Sequence, residues 1–397
     1  MNYWKGVQYD TLQLFIKFVA RIGYKDKPEV DKNGKLVSCR LTHFHAACQS
    51  GCDDIVMKFL EFGQDPNCIW RETGDTPLHL ALVFGRKKIV EMLLMRDVNP
   101  FVPNKDGLTS LHVVCRNFPN AHELVKMLLE VSHPVQVDAQ DNLGKTPLHY
   151  ALSRNHKVQN TVRLLLENGA SPNLADKEGL TPLHYIFKRS GVFFDGYTVD
   201  DLKIFFKINE DQNQKVEVDA QDKLGNTPLH LALECVGRNI KKVVEVLLRR
   251  GADPNVANAE GSTPLHLICD KPSVYDSNEG LAELFFKIND ERHQQVQVNA
   301  KDNSGQTPLQ LAVENVLPNA VHALVDHDAD LSNFLFTTKS IEARIDMPAE
   351  LKLKAISGVL VITEHLENGG YEITRSHALN SAKFMMVITI FLDFFPV

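Results

Sequence analysis

Two histidines and two cysteines lie within ten residues near the start of the chain, at His43, His45, Cys48 and Cys52. Imidazole and thiolate are the ligands that zinc prefers, and Cys48 and Cys52 are four residues apart, as on one face of a helix. A zinc site is therefore one interpretation. The other is structural, because Cys48 falls where a small helix residue packs and Cys52 follows Gly51 between two helices. We favour the structural interpretation and predict no metal.

Other patterns that could carry chemistry do not predict a site. The acidic runs at residues 219–222 and 299–302 lack the dense oxygen-ligand spacing of a calcium loop and are typical of hairpin turns. The sequence contains neither a glycine-rich phosphate-binding loop nor a nucleophile-elbow signature. We therefore predict no catalytic residue, no cofactor and no enzyme activity.

Histidine also recurs at the end of a four-residue box, Thr-X-Leu-His. Five copies read Thr-Pro-Leu-His, two variants occupy residues 109–112 and 307–310, and a degenerate copy occupies residues 42–45. Successive threonines are between 33 and 46 residues apart, which brackets the period of about 33 residues for an array of helix pairs. The chain is therefore predicted to be a repeat protein. The histidines of the five full boxes are His79, His149, His184, His230 and His266.

The residues around each box predict a pair of helices. Thr227 can cap a helix, and Pro228 fits its first position, where a missing N–H costs nothing. A second helix carries an apolar stripe over residues 243–248, and Gly251 can end it in a left-handed conformation. Turn formers up to Gly261 then precede the next box. We expect helix pairs joined by hairpin-like connections.

This pattern resembles the ankyrin repeat family over roughly residues 40–335. The resemblance rests on the box, on the apolar second helix, on Gly-Ala-Asp-Pro-Asn at residues 251–255, and on Asp-X-X-Gly turns at residues 141–144 and 222–225. It implies a mainly α fold, a solenoid of about eight helix-turn-helix repeats with β-hairpin-like connections.

The resemblance also implies that the threonine and histidine of each box hydrogen-bond locally and to the adjoining repeat. The box histidines are then structural. Three copies depart from the family pattern, with Ser110 in place of proline, Gln310 in place of histidine, and His43-Phe44 in place of Pro-Leu. We expect weaker local bonding at these three.

Members of the family bind protein partners through the turn tips and the exposed side of each first helix, which form a concave surface. The mixed charge of these positions favours a polar, partly acidic protein partner, and arginine or apolar anchors contribute most energy in such interfaces. On the tips, the candidate contacts are Lys105, Asn142, Leu143, Lys145, Lys177, Glu178, Lys223, Leu224, Asn226 and Glu260. On the first helices, they are Arg116, Arg154 and Arg189.

Every second repeat is longer than its neighbours, and residues 205–220 are nearly duplicated at residues 285–300. Insertions in such arrays form loops on one face. Here they carry Phe193, Phe194 and Tyr197 in one copy and Tyr275 in the other. These aromatic side chains either form a two-pronged contact edge or fold back over their own helices. We favour the second arrangement.

The composition argues against a nucleic-acid partner and for a reducing compartment. The chain of 397 residues carries 50 acidic against 43 lysine and arginine residues, a net charge of -7, whereas a nucleic-acid site needs a concentrated basic stripe. The seven cysteines are scattered and odd in number, as is usual for free thiols. Residues 1–27 show no secretory signal. We expect a cytoplasmic location, with the nucleus as the alternative.

The flanking segments lack the repeat period. We expect residues 1–40 to hold a capping helix at residues 11–20 and a charged linker. The array is expected to occupy residues 41–335, and residues 336–397 are expected to form a helical segment with a first helix over residues 350–367.

A second helix is predicted over residues 376–392, and residues 384–397 are strongly apolar. This apolar tail is interrupted by Asp393 and is shorter than the roughly 20 residues needed to span a bilayer. We therefore favour a helix that packs on protein over a membrane anchor.

Residues 366–373 and 375–379 resemble the segment that follows the repeats in ankyrin proteins of poxviruses, certain intracellular bacteria and parasitoid wasps. In those proteins the segment leads into a C-terminal domain known as PRANC, which resembles an F-box and recruits a cullin-type ubiquitin ligase. Because the chain stops soon after Phe384, the resemblance implies a truncated relative that keeps the array and lacks most of that domain.

Two functions therefore fit the sequence. The favoured one is a non-catalytic protein–protein interaction scaffold. The alternative is the substrate-receptor subunit of a cullin-type ubiquitin ligase, in which residues 336–397 would dock the ligase.

Overall fold

The computed structural model describes residues 29–30, 36–37, 42–96, 98–118, 122–131, 136–153, 159–188, 196–235, 239–270, 280–332 and 349–371. These residues are mainly helical. The helices are α1 His43–Ser50, α2 Asp53–Glu61, α3 Pro77–Val83, α4 Lys87–Leu94, α5 Ser110–Asn117, α6 His122–Val131, α7 Pro147–Leu152, α8 Gln159–Glu167, α9 Pro182–Phe187, α10 Gly196–Asp211, α11 Pro228–Glu234, α12 Ile240–Arg249, α13 Pro264–Cys269, α14 Leu281–Glu291, α15 Pro308–Glu314, α16 Pro318–Val325 and α17 Ala349–Asn368. The mainly α repeat fold predicted from the sequence is confirmed.

The chain divides into two compact units. The first comprises residues 1–190 and 204–216, and the second comprises residues 191–203 and 217–397. In the first unit the short helices α1, α3, α5, α7 and α9 pack side by side, with α2, α4, α6 and α8 as a second layer. In the second unit α11, α13 and α15 form one layer and α12, α14 and α16 the other, and α17 packs on α16.

Apolar side chains between the two layers form the core of each repeat. In the second repeat, Leu78 and Leu82 of α3 and Ile89 and Leu93 of α4 are fully buried. Burial of each such side chain contributes about 1.5–3 kcal/mol. A single pair of helices cannot cover both of its apolar faces, so each repeat needs a neighbour.

The box threonine begins each first helix. Thr76 has extended backbone angles, and its side chain accepts a hydrogen bond from the His79 N–H at 3.3 Å. Pro77 occupies the first helical position, where its fixed φ angle is already helical. The threonine cap explains why the helix starts at the same place in every box, and the proline supports this start in the six boxes that contain it.

Five box histidines join their own helix start to the next repeat. His79 Nδ1 accepts the backbone N–H of Thr76 at 3.1 Å, so its proton lies on Nε2, which donates to the Leu108 carbonyl at 3.0 Å. The same pair of bonds recurs for His149, whose Nε2 donates to the Leu180 carbonyl at 3.0 Å. His112, His230 and His266 repeat this arrangement with carbonyls of Lys145, Ser262 and Gln306.

The variant boxes keep their local bonds, contrary to our expectation. In the box with Ser110, Thr109 N–H donates to His112 Nδ1 at 3.1 Å and His112 Nε2 to the next repeat at 3.0 Å, as in the full boxes. Gln310 Oε1 accepts the Thr307 N–H at 2.9 Å in place of an imidazole nitrogen. The local cap therefore needs an acceptor at this position and does not need the proline ring.

The helix predicted over residues 350–367 corresponds to α17. Its buried residues Val359, Ile362 and Leu366 face the array side of the helix, because α17 packs on α16. Of the described helices, none is long and apolar enough to cross a membrane. The helices predicted at residues 11–20 and 376–392 and the apolar tail at residues 384–397 lie outside the described residues.

The charged linker predicted before the array contains two short strands that we did not predict. β1, Glu29–Val30, pairs antiparallel with β2, Leu36–Val37. The sequence signal for this hairpin is the turn-forming pair Asn33-Gly34, which lies between Glu29-Val30 and Leu36-Val37. A strand pair of this size is too small to be recognised from side-chain alternation.

Burial keeps the box histidines neutral. It lowers the pKa of His149 to about 4, against a bond to the Leu180 carbonyl that raises it. Burial likewise lowers the pKa values of His79, His112, His230 and His266. The pKa of these histidines in the folded chain therefore lies below the value near 6.5 that they have in the unfolded chain. Between these two pH values the unfolded chain binds more protons than the folded chain. The stability contributed by these histidines is complete above about pH 6.5 and is lost as pH falls towards 4.

The substitution His149→Gln tests this linkage. Gln310 indicates that glutamine keeps the local cap, whereas the bond to Leu180 is lost. We expect the free energy of unfolding at pH 7.5 to fall by about 1–3 kcal/mol. Between pH 7.5 and 5 we also expect the free energy of unfolding of the variant to decrease less than that of the unchanged chain. Urea unfolding at pH 7.5, 6 and 5 measures both quantities, and equal declines in the two proteins would contradict the linkage.

Candidate partner-binding surface

The hairpin turn before each box is closed by one side-chain oxygen. Asp141 Oδ1 accepts the N–H groups of Leu143 and Lys145 at 2.8 and 2.9 Å. Asn104, Asp176, Asp222, Asn258 and Asp302 each accept the corresponding two N–H groups at 2.8–3.0 Å. Aspartate and asparagine favour such turns because their short side chains reach the backbone two residues ahead.

Neighbouring turns within a unit are hydrogen-bonded to each other through the backbone. In the first unit the Asn142 N–H donates to the Asp106 carbonyl at 2.9 Å, and in the second unit the Ala259 N–H donates to the Leu224 carbonyl at 2.8 Å. The remaining bonds of this kind are Lys105 to Thr73, Lys177 to Leu143 and Asn303 to Glu260. The turn tips of a unit are therefore held in a fixed register.

Glycine is required where these turns touch. Gly144 has a φ of +77°, and a Cβ built on it would lie 2.8 Å from the backbone nitrogen of Lys177. Neither the left-handed backbone nor that distance accommodates a side chain. The turns can approach closely enough to hydrogen-bond because no side chain lies between them.

The side chain two residues after each turn aspartate or asparagine points outward and differs from copy to copy. All six are exposed, and the two apolar ones, Leu143 and Leu224, have 57% and 65% of their surface accessible. Single exposed leucines are common on protein surfaces, and here they supply apolar surface at two of the tips. The six residues are Asp106, Leu143, Glu178, Leu224, Glu260 and Ser304.

Most of the predicted contact residues that the structure describes are exposed. These are Lys105, Arg116, Asn142, Leu143, Lys177, Glu178, Lys223, Leu224 and Glu260. Asn142, however, uses its side-chain amide to donate to the Lys105 carbonyl at 2.7 Å. Arg154, Arg189, Phe193, Phe194 and Tyr275 lie outside the described residues. Tyr197 lies in α10, with its side chain outside the described part.

Two predicted tip residues are less accessible than we expected. Asn226 is only 6% exposed, and its side-chain oxygen accepts a hydrogen bond from Asn258 at 3.0 Å. It follows the tip and turns inward, so the expectation of an exposed contact at Asn226 was wrong. Lys145, at the equivalent position, is half-buried.

Lys145 belongs to an aromatic cluster that sequence reasoning missed. Its ammonium group lies 5.6 Å from the ring centre of Tyr150 and 5.4 Å from that of Tyr185, within the range of cation–π attraction. The Tyr150 hydroxyl donates to Asp141 Oδ2 at 2.6 Å and the Tyr185 hydroxyl to Asp176 Oδ2 at 2.7 Å. The sequence signal for this cluster was the residue directly after the box histidine, which is tyrosine in only these two of the eight copies.

Burial and these hydrogen bonds keep both phenols neutral. Burial, followed by the bond to Asp176, raises the pKa of Tyr185 well above its usual range, and burial with the bond to Asp141 does the same for Tyr150. The tyrosines thus tie the first helix of a repeat to the turn that precedes it. They support the surface around the tips in the first unit.

The exposed ends of the first helices differ between the units. At the fourth residue after the box, the first unit has Val83, Arg116, Ser153 and Lys188, whereas the second has Glu234, Asp270 and Glu314. In the first unit the apolar residues Phe84 and Phe118 follow this position closely. Sequence reasoning missed Val83, Phe84 and Phe118, although apolar residues stand there where other copies carry polar ones.

The histidine–cysteine cluster is built into the first repeat. His45 Nδ1 lies 2.7 Å from Thr42 Oγ1, and His45 Nε2 lies 3.2 Å from the Cys68 carbonyl, which is the box arrangement. Burial raises the pKa of Cys48 well above its usual range. Across the described ranges, no three histidine, cysteine or acidic side chains are grouped as they would be around a metal ion.

Comparison with known proteins identifies the repeats. A family model described as ankyrin repeats (3 copies) matches residues 5–104, 96–176, 158–258 and 234–334. A putative ankyrin repeat protein of Acanthamoeba polyphaga mimivirus is 26% identical over 64% of this chain and 32% of its own length. Human B-cell lymphoma 3 protein is 29% identical over 54% of this chain and 43% of its own length.

Mouse NF-kappa-B inhibitor zeta is 31% identical over 50% of this chain and 25% of its own length. The match therefore spans less than half the length of each of these relatives. The crystal structure of the ankyrin repeat domain of Bcl-3 aligns with a TM-score of 0.44 and 28% identity, over 57% of this chain and 93% of that chain.

The substitution Tyr185→Phe tests the support that the tyrosines give to the turns. It removes the buried hydrogen bond to Asp176 and keeps the ring. We expect the free energy of unfolding to fall by about 1–3 kcal/mol, the range for hydrogen bonds to a charged group. Urea unfolding at pH 7.5 measures the change. Tyr150→Phe is the matched control at a half-buried site, and we expect a smaller loss there. An unchanged midpoint for Tyr185→Phe would show that the bond is dispensable.

Proposed function

This chain belongs to the ankyrin repeat family, and from that premise we propose that it is a non-catalytic scaffold. It binds a partner protein through its hairpin tips and the exposed ends of its first helices. We propose the cytoplasm as its location, with the nucleus as the alternative. No disulfide joins the cysteines that the structure describes, which fits a reducing compartment.

The observation that carries this proposal is a constant frame with variable tips. Six turns share the same side-chain closure, and within each unit they are joined through backbone bonds. The residue at the centre of each tip is exposed and ranges from Asp106 and Glu178 to Leu143 and Ser304. A rigid frame that presents different side chains at regular intervals is what recognition of a protein surface requires.

Leu143 and Leu224 are the anchors we propose. They occupy equivalent tips in two copies of a two-repeat module, one in each unit. Their side chains are exposed, whereas their backbone groups are held by the turn frame. An apolar side chain on a rigid support loses little entropy on binding and gains from desolvation.

The double substitution Leu143→Ser and Leu224→Ser tests this function. Serine is the natural residue at the equivalent tip Ser304, so the frame should be kept. The first step is affinity purification from a cytosolic extract with mass spectrometry, using the unchanged chain. The affinity of the recovered partner is then measured for both proteins. We expect each leucine to contribute about 1.4 kcal/mol, a tenfold change in Kd.

Ser304→Ala is the matched control, because it changes a tip without removing an anchor. The thermal unfolding midpoint of the double variant should equal that of the unchanged chain. If the double variant binds the partner as tightly as the unchanged chain does, the tips are not the binding surface.

A ligase-docking role for residues 336–397 is the second candidate. The observation in its favour is an apolar outer face on α17, where Leu360 and Val361 are 53% and 36% exposed. Against it, the inner face of α17 is buried against the last repeat, which is what a terminal cap needs. We therefore place the ligase role below the scaffold role.

The substitution Leu360→Ser with Val361→Ser separates these two roles in the full chain. If residues 336–397 dock a ligase, a cullin adaptor should co-purify with the unchanged chain. It should be lost with the variant while capture of the target partner is retained. Glu364→Ser on the same helix is the control. Absence of any ligase subunit from the unchanged chain would leave α17 as a cap alone.

A further inference from the structure

The first unit carries an apolar patch beside a group of basic side chains. Val83 and Phe84, at the end of α3, are 38% and 44% exposed. Phe118, at the end of α5, lies next to them, since a Cβ built on Gly85 would be 3.1 Å from its ring. Phe118 is half-buried, so Val83 and Phe84 supply most of the exposed apolar surface of the patch. Apolar side chains grouped in this way are a typical anchor site for a partner.

Basic side chains continue this patch across the first unit. Arg116, in the last turn of α5, is close enough to Tyr150 to lower its pKa electrostatically, against the effect of burial. Lys145 lies over the rings of Tyr150 and Tyr185, and Lys188 follows α9. The basic face is defined here as Val83, Phe84, Phe118, Arg116, Lys145 and Lys188.

Two of the acidic side chains near the basic face already use their oxygens in hydrogen bonds. The outer oxygens of Asp141 and Asp176 accept the tyrosine hydroxyls, and their inner oxygens accept backbone N–H groups of the turns. Asp106 and Glu178 are exposed on the turn tips, and Asp106 acts electrostatically on Tyr150 as Arg116 does, with the opposite effect on its pKa. The helix ends of the first unit are therefore net positive.

The charge at these helix ends is not set by the fold. Arg116 and Lys188 occupy the same backbone position, after the box, as Glu234 and Asp270 of the second unit. Either sign of charge is compatible with the helix, because both occur in boxes whose histidines make equivalent bonds in the described residues. Because the fold does not determine the sign of the charge at this position, that charge can serve in the recognition of a partner.

We propose that the basic face of the first unit binds an acidic segment of a protein that carries an aromatic or aliphatic side chain. This inference rests on the scaffold function and names the chemistry of one ligand. The apolar side chain packs against Phe84 and Phe118, while neighbouring carboxylates pair with Arg116 and Lys145. Arginine and lysine at such a face bind carboxylates with a strength that falls with salt.

The probe is a fluorescein-labelled 12-residue peptide of aspartate and glutamate with a central Leu-Phe pair. Two matched peptides replace the acidic residues by lysine or the Leu-Phe pair by serine. Binding to the full chain is measured by fluorescence polarisation at 50 and 300 mM salt. We expect the acidic peptide with Leu-Phe to bind at least about tenfold more tightly than either control, and less tightly at high salt.

Variants of the full chain use residues that occur naturally at equivalent positions. Arg116→Glu introduces the residue found at Glu234, and Phe84→Asn introduces the residue found at Asn117. Each should weaken peptide binding about tenfold, with an unchanged thermal midpoint. Glu234→Lys in the second unit is the control and should leave the affinity within twofold.

Several outcomes would overturn the inference. These are equal binding of the lysine peptide, no binding of the acidic peptide at 500 μM, an unaffected Arg116→Glu variant, or preferential binding of a single-stranded oligonucleotide. The scaffold function is judged separately. If the tip leucines are needed for partner capture and the acidic peptide does not bind, the scaffold function stands and this inference fails.

Discussion

In five of the boxes, a buried and neutral imidazole at the start of the first helix holds consecutive repeats together. Its Nδ1 accepts the backbone N–H of the box threonine, and its Nε2 donates to a carbonyl about thirty residues further on. Because one side chain makes both bonds, helix capping and contact between repeats form in one step. The hairpin turns are placed by the same bond, since the accepting carbonyl belongs to the end of the next turn. The positions of the tips that follow these five boxes therefore depend on a buried ring.

The fold was predictable because its signals are local and recur. The caps, the glycines and the apolar stripes each have a short-range cause, and eight copies reinforce one another. The expected weakening at Ser110 was wrong because the bond depends on Thr109 and His112, which that copy retains. The strands at Glu29–Val30 and Leu36–Val37 were missed because two residues are too few to show alternation.

The surface was less predictable, because exposure depends on side-chain direction and not on sequence position. Lys145 and Asn226 stand at equivalent places beside a tip, yet one packs over tyrosines and the other is buried under the next turn. The Phe118 ring lies beside Gly85, far away in sequence, because α3 and α5 pack side by side. Such pairings follow from packing between repeats, which spacing along one repeat does not reveal.

The turn closure has a consequence for how chains of this kind diverge. The oxygen of Asp141 fixes the turn through backbone N–H groups, so the side chain at position 143 contributes nothing to the frame. Selection for stability therefore acts on the aspartate and the glycine, and hardly at all on the tip between them. Mutations at the tips can accumulate while the protein remains folded, and a copied pair of repeats supplies fresh positions on which they arise. A few substitutions at the tips could thus change which partner is bound while the hydrogen-bonded turns stay the same.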